Sequence, residues 1–91
     1  MSIIKERELE KQLKALANRR RLAILRHLKN NREANVADIA SVINLSFKAT
    51  SKHLGILANL DILEKEQRSL QNFYRLTTFH PPAVKQIILL L

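Results

Sequence analysis

A mainly α domain with one small β-hairpin, an α+β fold built around a helix-turn-helix, is predicted by three stretches of the chain. Over Ser46–Leu60, the residues Thr50, Leu54, Leu57 and Ala58 recur at i, i+4, i+7 and i+8, the spacing of a single helical stripe. The opposite face, Lys48, Ser51, Lys52, Gly55 and Asn59, is small or positive and holds no acid, so it suits a negatively charged surface. Just upstream, Asn35–Ile43 reads as a shorter amphipathic helix, separated by the turn Asn44-Leu45, and the Ser46 hydroxyl is placed to cap the helix that follows. Two short helices, a tight turn and a polar outward face on the second make the helix-turn-helix pattern. The third stretch, Ile62–Gln67 and Gln71–Leu76 joined through Arg68-Ser69-Leu70, reads as a hairpin, although no Asn-Gly or Asp-Gly marks its turn.

The remaining elements follow in chain order. Residues 3–17 carry Leu9, Leu13, Leu16 and Ala17 on one stripe, and Ile3 and Ile4 extend the apolar side beyond what a small core needs. Asn18 is placed to cap a second helix, Arg19–Lys29, with Leu22, Ala23, Ile24, Leu25 and Leu28 turned inward. Its first turn holds Arg19, Arg20 and Arg21 at the positive end of the helix dipole, where each cation costs roughly 0.3–1 kcal/mol. Either acids such as Glu6, Glu8 or Glu33 pair with these arginines, or a nearby phosphate reverses the sign of the penalty. Asn30–Ala34 reads as a polar loop, and Asp61 falls where a helix end commonly uses a left-handed glycine. Pro81 and Pro82 suit the first turn of a last helix, Ala83–Leu91. There Val84, Ile87, Ile88, Leu90 and Leu91 cover more than one face, which requires burial against a second chain, beside the first helix of a twofold partner.

Ninety-one residues leave room for one small core, so 1–91 is read as a single domain for which a partner subunit is expected. A net charge of +8 and a pI near 10.5 point to a polyanion, or to an anionic membrane surface. Residues 1–32 hold ten basic and three acidic residues, against six and five in 33–91. The absence of cysteine removes disulfides, thiol catalysis and thiolate metal sites, and fits an intracellular chain. The start has no apolar run of signal-peptide length, and the tail Ile87–Leu91 is far short of the ~20 residues of a membrane span. A cytoplasmic protein without membrane contact is therefore expected. With no Gly-rich phosphate loop and no paired carboxylates flanking a histidine, neither an enzyme nor a bound cofactor is expected.

Helices, helix-turn-helix, hairpin and final helix together make a winged helix-turn-helix, and the wording of the sequence resembles the ArsR family of bacterial and archaeal repressors over about residues 9–80. The resemblance rests on Leu13-Lys14-Ala15-Leu16-Ala17-Asn18-Arg19-Arg20-Arg21-Leu22-Ala23-Ile24-Leu25, on Leu45–Leu57, similar to the family's L-S-Q-x-x-V-S-x-H-L-x-x-L recognition helix, and on Phe73-Tyr74-Arg75-Leu76 closing the wing. It implies a recognition helix at about 47–60 and a wing at about 62–76. It also implies a homodimeric, sequence-specific DNA-binding repressor joined through its N- and C-terminal helices, with Ile3, Ile4, Val84, Ile87, Ile88 and Leu91 in the dimer interface. The family's DNA-contacting positions carry over onto Phe47, Lys48, Ser51 and Lys52, beside the capping Ser46, and its wing tip onto Gln67 and Arg68. Arg19 and Arg20 of the basic second helix would hold the phosphate backbone. Lys48 and Lys52 stand one turn apart and so reach one groove wall, with Ser51 between them small enough to bond a base edge or a phosphate.

Phe47 departs from the family's usual Gln; it either reads a thymine methyl or sugar-phosphate surface, or tucks beneath the hairpin as core. Gly55 is a second departure: it admits a close backbone approach, or it is a blemish costing about 1 kcal/mol against Ala. The family's thiolate metal site falls on Asn35 and Ala37, which do not bind a soft metal, and its terminal-helix site on Thr78, His80 and Leu91, of which only His80 is a ligand. No metal role is expected, and no effector site is recognisable. A protein-docking or architectural winged helix without strong sequence specificity is the alternative, with the apolar Ile87–Leu91 end as its docking face.

Overall fold

Three of the helices begin on a side chain that accepts a backbone N–H of the first turn. The computed structural model describes residues 5–91, in which α1 (Glu6–Leu16), α2 (Arg19–Asn30), β1 (Ala34–Asn35), α3 (Val36–Ile43), α4 (Phe47–Asn59), β2 (Leu63–Arg68), β3 (Gln71–Leu76) and α5 (Pro82–Leu90) follow one another. The Asn18 carbonyl oxygen accepts from the Arg21 N–H at 3.0 Å, that of Asn35 from Asp38 at 2.8 Å, and the Ser46 hydroxyl from Ala49 at 3.1 Å. These bonds satisfy donors that a helix start otherwise leaves orphaned. The last helix starts on Pro82, one residue earlier than expected, where a missing N–H costs nothing.

Each helix of the helix-turn-helix is closed by a left-handed residue. Asn44 adopts φ 53° and ends α3, and Asp61 adopts φ 58° after α4, where the Ile62 N–H returns to the Leu57 carbonyl at 3.0 Å. Ile62 is thereby spent on ending the helix, and the wing strand starts at Leu63 rather than at 62. Arg68 pairs with Gln71, so the hairpin turns on Ser69-Leu70 alone, with Ser69 supplying φ 57°.

The expected loop at 30–34 ends instead in β1, which the sequence reading lacked. Ala34 pairs with Tyr74 and Asn35 with Phe73, giving an antiparallel sheet of order β1-β3-β2. A strand of two residues is too short to show any alternation of its own.

One core joins every helix to the base of the wing. Leu16, Ile24, Leu25, Leu28, Val36, Ile39, Ile43, Leu54, Leu57, Ile62, Leu63, Tyr74, Val84 and Ile88 pack together, and Thr50 is fully buried beside them. Val84 and Ile88, expected in a dimer interface, are instead buried in this core. The outward apolar residues near the chain's end are instead Leu89 and Leu90, with Ile87 and Leu91 half-buried. Leu13 and Ala17, expected on the inner stripe of α1, are exposed, because α5 and α2 cover only its Ala15–Leu16 side. Ile3 and Ile4 lie outside the described residues. No helix among those described is long and apolar enough to cross a membrane.

Candidate nucleic-acid interface

Helix α4 is held from three sides, and its fourth side is free. Its inner stripe, Thr50, Leu54 and Leu57, is buried; Ser46 caps its start; and α3 packs across it after the Asn44 turn. That leaves Lys48 and Lys52 exposed on one outward face, with Ser51 half-buried between them. Neither lysine forms an ion pair among the described residues, so both cations are available to an external anion. Phe47 does not lie beneath the hairpin: it is 60% exposed at the first position of α4. With Leu70, 96% exposed at the wing tip, it lines a small cleft together with Asn35, Val36, Ala37, Gln71 and Asn72, and no ionisable side chain enters that cleft. At Gly55 an added Cβ would meet no atom within 4 Å, so the protein itself makes no close approach there.

The arginines of α2 are used otherwise than expected. The Arg20 guanidinium donates to the Ile43 carbonyl and, at 2.9 Å, to the Asn44 carbonyl, so it caps the end of α3 and fastens the helix-turn-helix turn. Arg21 donates to the Ala15 and Lys14 carbonyls at the end of α1, and its Nη1 lies 3.0 Å from His53 Nδ1 on α4. For Arg20 and Arg21, helix-end carbonyls offset the cost of crowding cations at the start of α2. Arg20 is thus engaged, through Nη1, at the end of α3. Arg19 remains exposed and unpaired among the described residues.

A second correction concerns the wing. Arg68 grips the Glu33 carboxylate with both terminal nitrogens, at 2.5 and 2.7 Å, reaches Glu66 at 3.0 Å, and lies 4.4 Å above the Phe73 ring. Arg75 bonds Glu64 at 2.9 Å and Glu66 at 3.0 Å. These guanidiniums hold the Glu66 carboxyl down at about 2 and that of Glu33 below its usual range. Three acids thus pair with two arginines, the exposed Lys65 balances the charge left over, and Glu33 serves the wing rather than α2. Arg68 is not a free cation at the tip; the exposed Gln67 side chain, which donates to the Ser69 carbonyl at 3.5 Å, stays available, as does exposed Lys65.

At the metal positions weighed above, the Asn35 side chain is engaged in capping α3, and His80 Nδ1 lies 3.0 Å from the Thr77 carbonyl oxygen. The pairings of Arg21 with His53 and of Glu33 with Arg68 are what sequence reasoning missed, since it weighed Glu33 only as a partner for the arginines of α2. The only signal was an isolated glutamate just after the basic segment of residues 1–32.

The model of the bacterial regulatory protein arsR family matches residues 18–65, from the cap of α2 into β2. The chain belongs to that family. Reduced HlyU from Vibrio cholerae is 34% identical with a TM-score of 0.78, over 92% of this chain and 84% of that one. Mb0332 from Mycobacterium bovis, a homodimeric winged helix-turn-helix DNA-binding domain, is 26% identical with a TM-score of 0.75, over 99% and 85%. The transcriptional repressor BigR from Xylella fastidiosa is 28% identical with a TM-score of 0.75, over 92% and 80%. No curated protein matches the chain. As an arsR-family member it is a winged helix-turn-helix regulator of transcription that acts by binding DNA.

Proposed function

We propose that this regulator is a homodimeric repressor that reads an inverted repeat, with α4 of each subunit in a major groove and each wing over the flanking backbone. Residues 1–91 act in it as one DNA-binding domain. The observation that carries the reading is the outward face of α4, where Lys48, Ser51 and Lys52 stand unpaired among the described residues, on a helix whose opposite face is locked into the core. Lys48 and Lys52 would contact phosphate or guanine edges of one groove wall, Ser51 a base edge, and Phe47 a thymine methyl. Ser46 sets the start of the helix, while Gln67 and Arg19 lie where flanking backbone would run. Mb0332 is homodimeric and BigR a repressor, which supports both features here.

The apolar groove lined by Leu13, Ala17, Leu22, Ile87, Leu90 and Leu91 would close against the same groove of a second copy. Half-sites would then lie about one helical turn (~34 Å) or a small multiple apart. Electrophoretic titration of Lys52→Ala tests the residue roles. Its affinity for the preferred duplex should fall, and the slope of log affinity against log salt should shrink by about one. An unchanged affinity removes Lys52 from the interface.

A further inference from the structure

We infer that Arg21 is a positioning residue that ties the recognition helix to the end of α1 through His53, and that protonating His53 releases this tie, so that sequence discrimination weakens in mild acid while nonspecific DNA binding does not. The inference rests on α4 being the DNA-reading helix, as proposed above.

The Arg21 guanidinium joins three elements. From the start of α2, its Nε donates to the Ala15 carbonyl at 2.5 Å and its Nη2 to the Lys14 carbonyl at 3.3 Å, both in the last turn of α1, where carbonyls lack helical partners. Its Nη1 lies 3.0 Å from His53 Nδ1 on α4. A guanidinium only donates, so Nδ1 must accept, and the imidazole is neutral with its proton on Nε2. His53 sits on the flank of α4, three residues after Thr50 and four before Leu57, both buried. The contact therefore braces the roll that the core stripe gives the helix, and with it the direction in which Lys48, Ser51 and Lys52 point.

The same contact is sensitive to one proton. Arg21 and Arg20 of α2 and Lys52 of α4 are the charged groups acting on the ring; all are cations, and among the described residues no carboxylate offsets them. Burial first, and then these cations, hold His53 below its ordinary 6.5. Once the ring is protonated, Nδ1 no longer accepts and two cations face each other across the former bond. Helix α4 then keeps its core stripe and its Ser46 cap but loses the tie to α1. The added charge beside Lys52 strengthens phosphate attraction regardless of sequence, so the two kinds of binding move in opposite directions.

The test uses a duplex enriched from a random pool by the wild-type protein at about pH 7.5, and a scrambled duplex, compared down to about pH 5 at constant ionic strength. The wild-type affinity ratio should fall about tenfold, the weight of one hydrogen bond to a charged group. His53→Asn places a non-titrating oxygen near Nδ1 and should hold its ratio flat. Arg21→Gln should show a lowered ratio already at the higher pH, and NMR should find its His53 titrating closer to the ordinary value. A wild-type ratio constant over the range overturns the inference, as does a His53→Asn ratio falling in parallel with wild type because His27 or His80 is the titrating group. A pool yielding no preferred sequence overturns the DNA-reading proposal itself, and this inference with it.

Discussion

Thr50 is the residue whose chemistry fits its surroundings least. It is fully buried on the inner stripe of α4, and its hydroxyl has no hydrogen-bond partner among the described residues. An unsatisfied buried hydroxyl costs about 1–3 kcal/mol. Thr50→Val keeps the shape and removes the group, so thermal unfolding should rise by several degrees, at about 4–8 °C per kcal/mol for a domain of this size. Gly55 gives a second test of the same helix. A Cβ there meets nothing, so Gly55→Ala should stabilise the free protein by about 1 kcal/mol in chemical denaturation. If the stabilised variant binds DNA poorly, the open space at Gly55 is where the duplex backbone passes.

Arg20 and Arg21 show where the residues alone were not enough. Their crowding at the start of α2 was legible as an anomaly, but its resolution lay in carbonyls of α1 and α3, which no local pattern reveals. Arg20→Ala should accordingly cost about 1–2 kcal/mol of stability through the lost α3 cap, with the salt dependence of DNA binding unchanged.

At the scale of elements, helix periodicity carried most of the fold. Asn18, Asn35 and Ser46 cap where their chemistry says they should, and α4 spans Phe47–Asn59 with its expected stripe inward. The strand β1 escaped because two residues have no period, and the role of Glu33 escaped with it. The wing is a charge-neutral ladder rather than the cationic finger expected of Arg68, and this makes it sensitive to acid. Glu66 and Glu33 have lower pKa values folded than unfolded, so their contribution is complete above 4.5 and is lost as pH falls from there toward 2. Tyr74, the single tyrosine in a chain without tryptophan, sits in β3 and reports on this region. Its fluorescence should change over that acidic window, and Glu66→Gln should move the change to higher pH.

For the whole molecule, the division of charge and of apolar surface describes how the regulator would assemble. The terminal helices leave Leu13 and Leu90 uncovered at one groove and Leu89 exposed, while Lys48 and Lys52 lie on α4. Sequence alone marked the last helix as having too many apolar faces; only packing shows which of them the monomer keeps. Leu90→Glu should therefore yield a folded monomer in sedimentation equilibrium, with weakened binding to a two-half-site duplex. The central claim is tested most directly by fluorescence anisotropy on the selected duplex and a scrambled duplex of equal composition, at about 150 mM salt, where nonspecific contacts are screened. A preference of roughly a thousandfold or more, lost together in Lys48→Ala and Lys52→Ala, is the predicted result. Equal and weak binding to both duplexes, unchanged in the two variants, would contradict it.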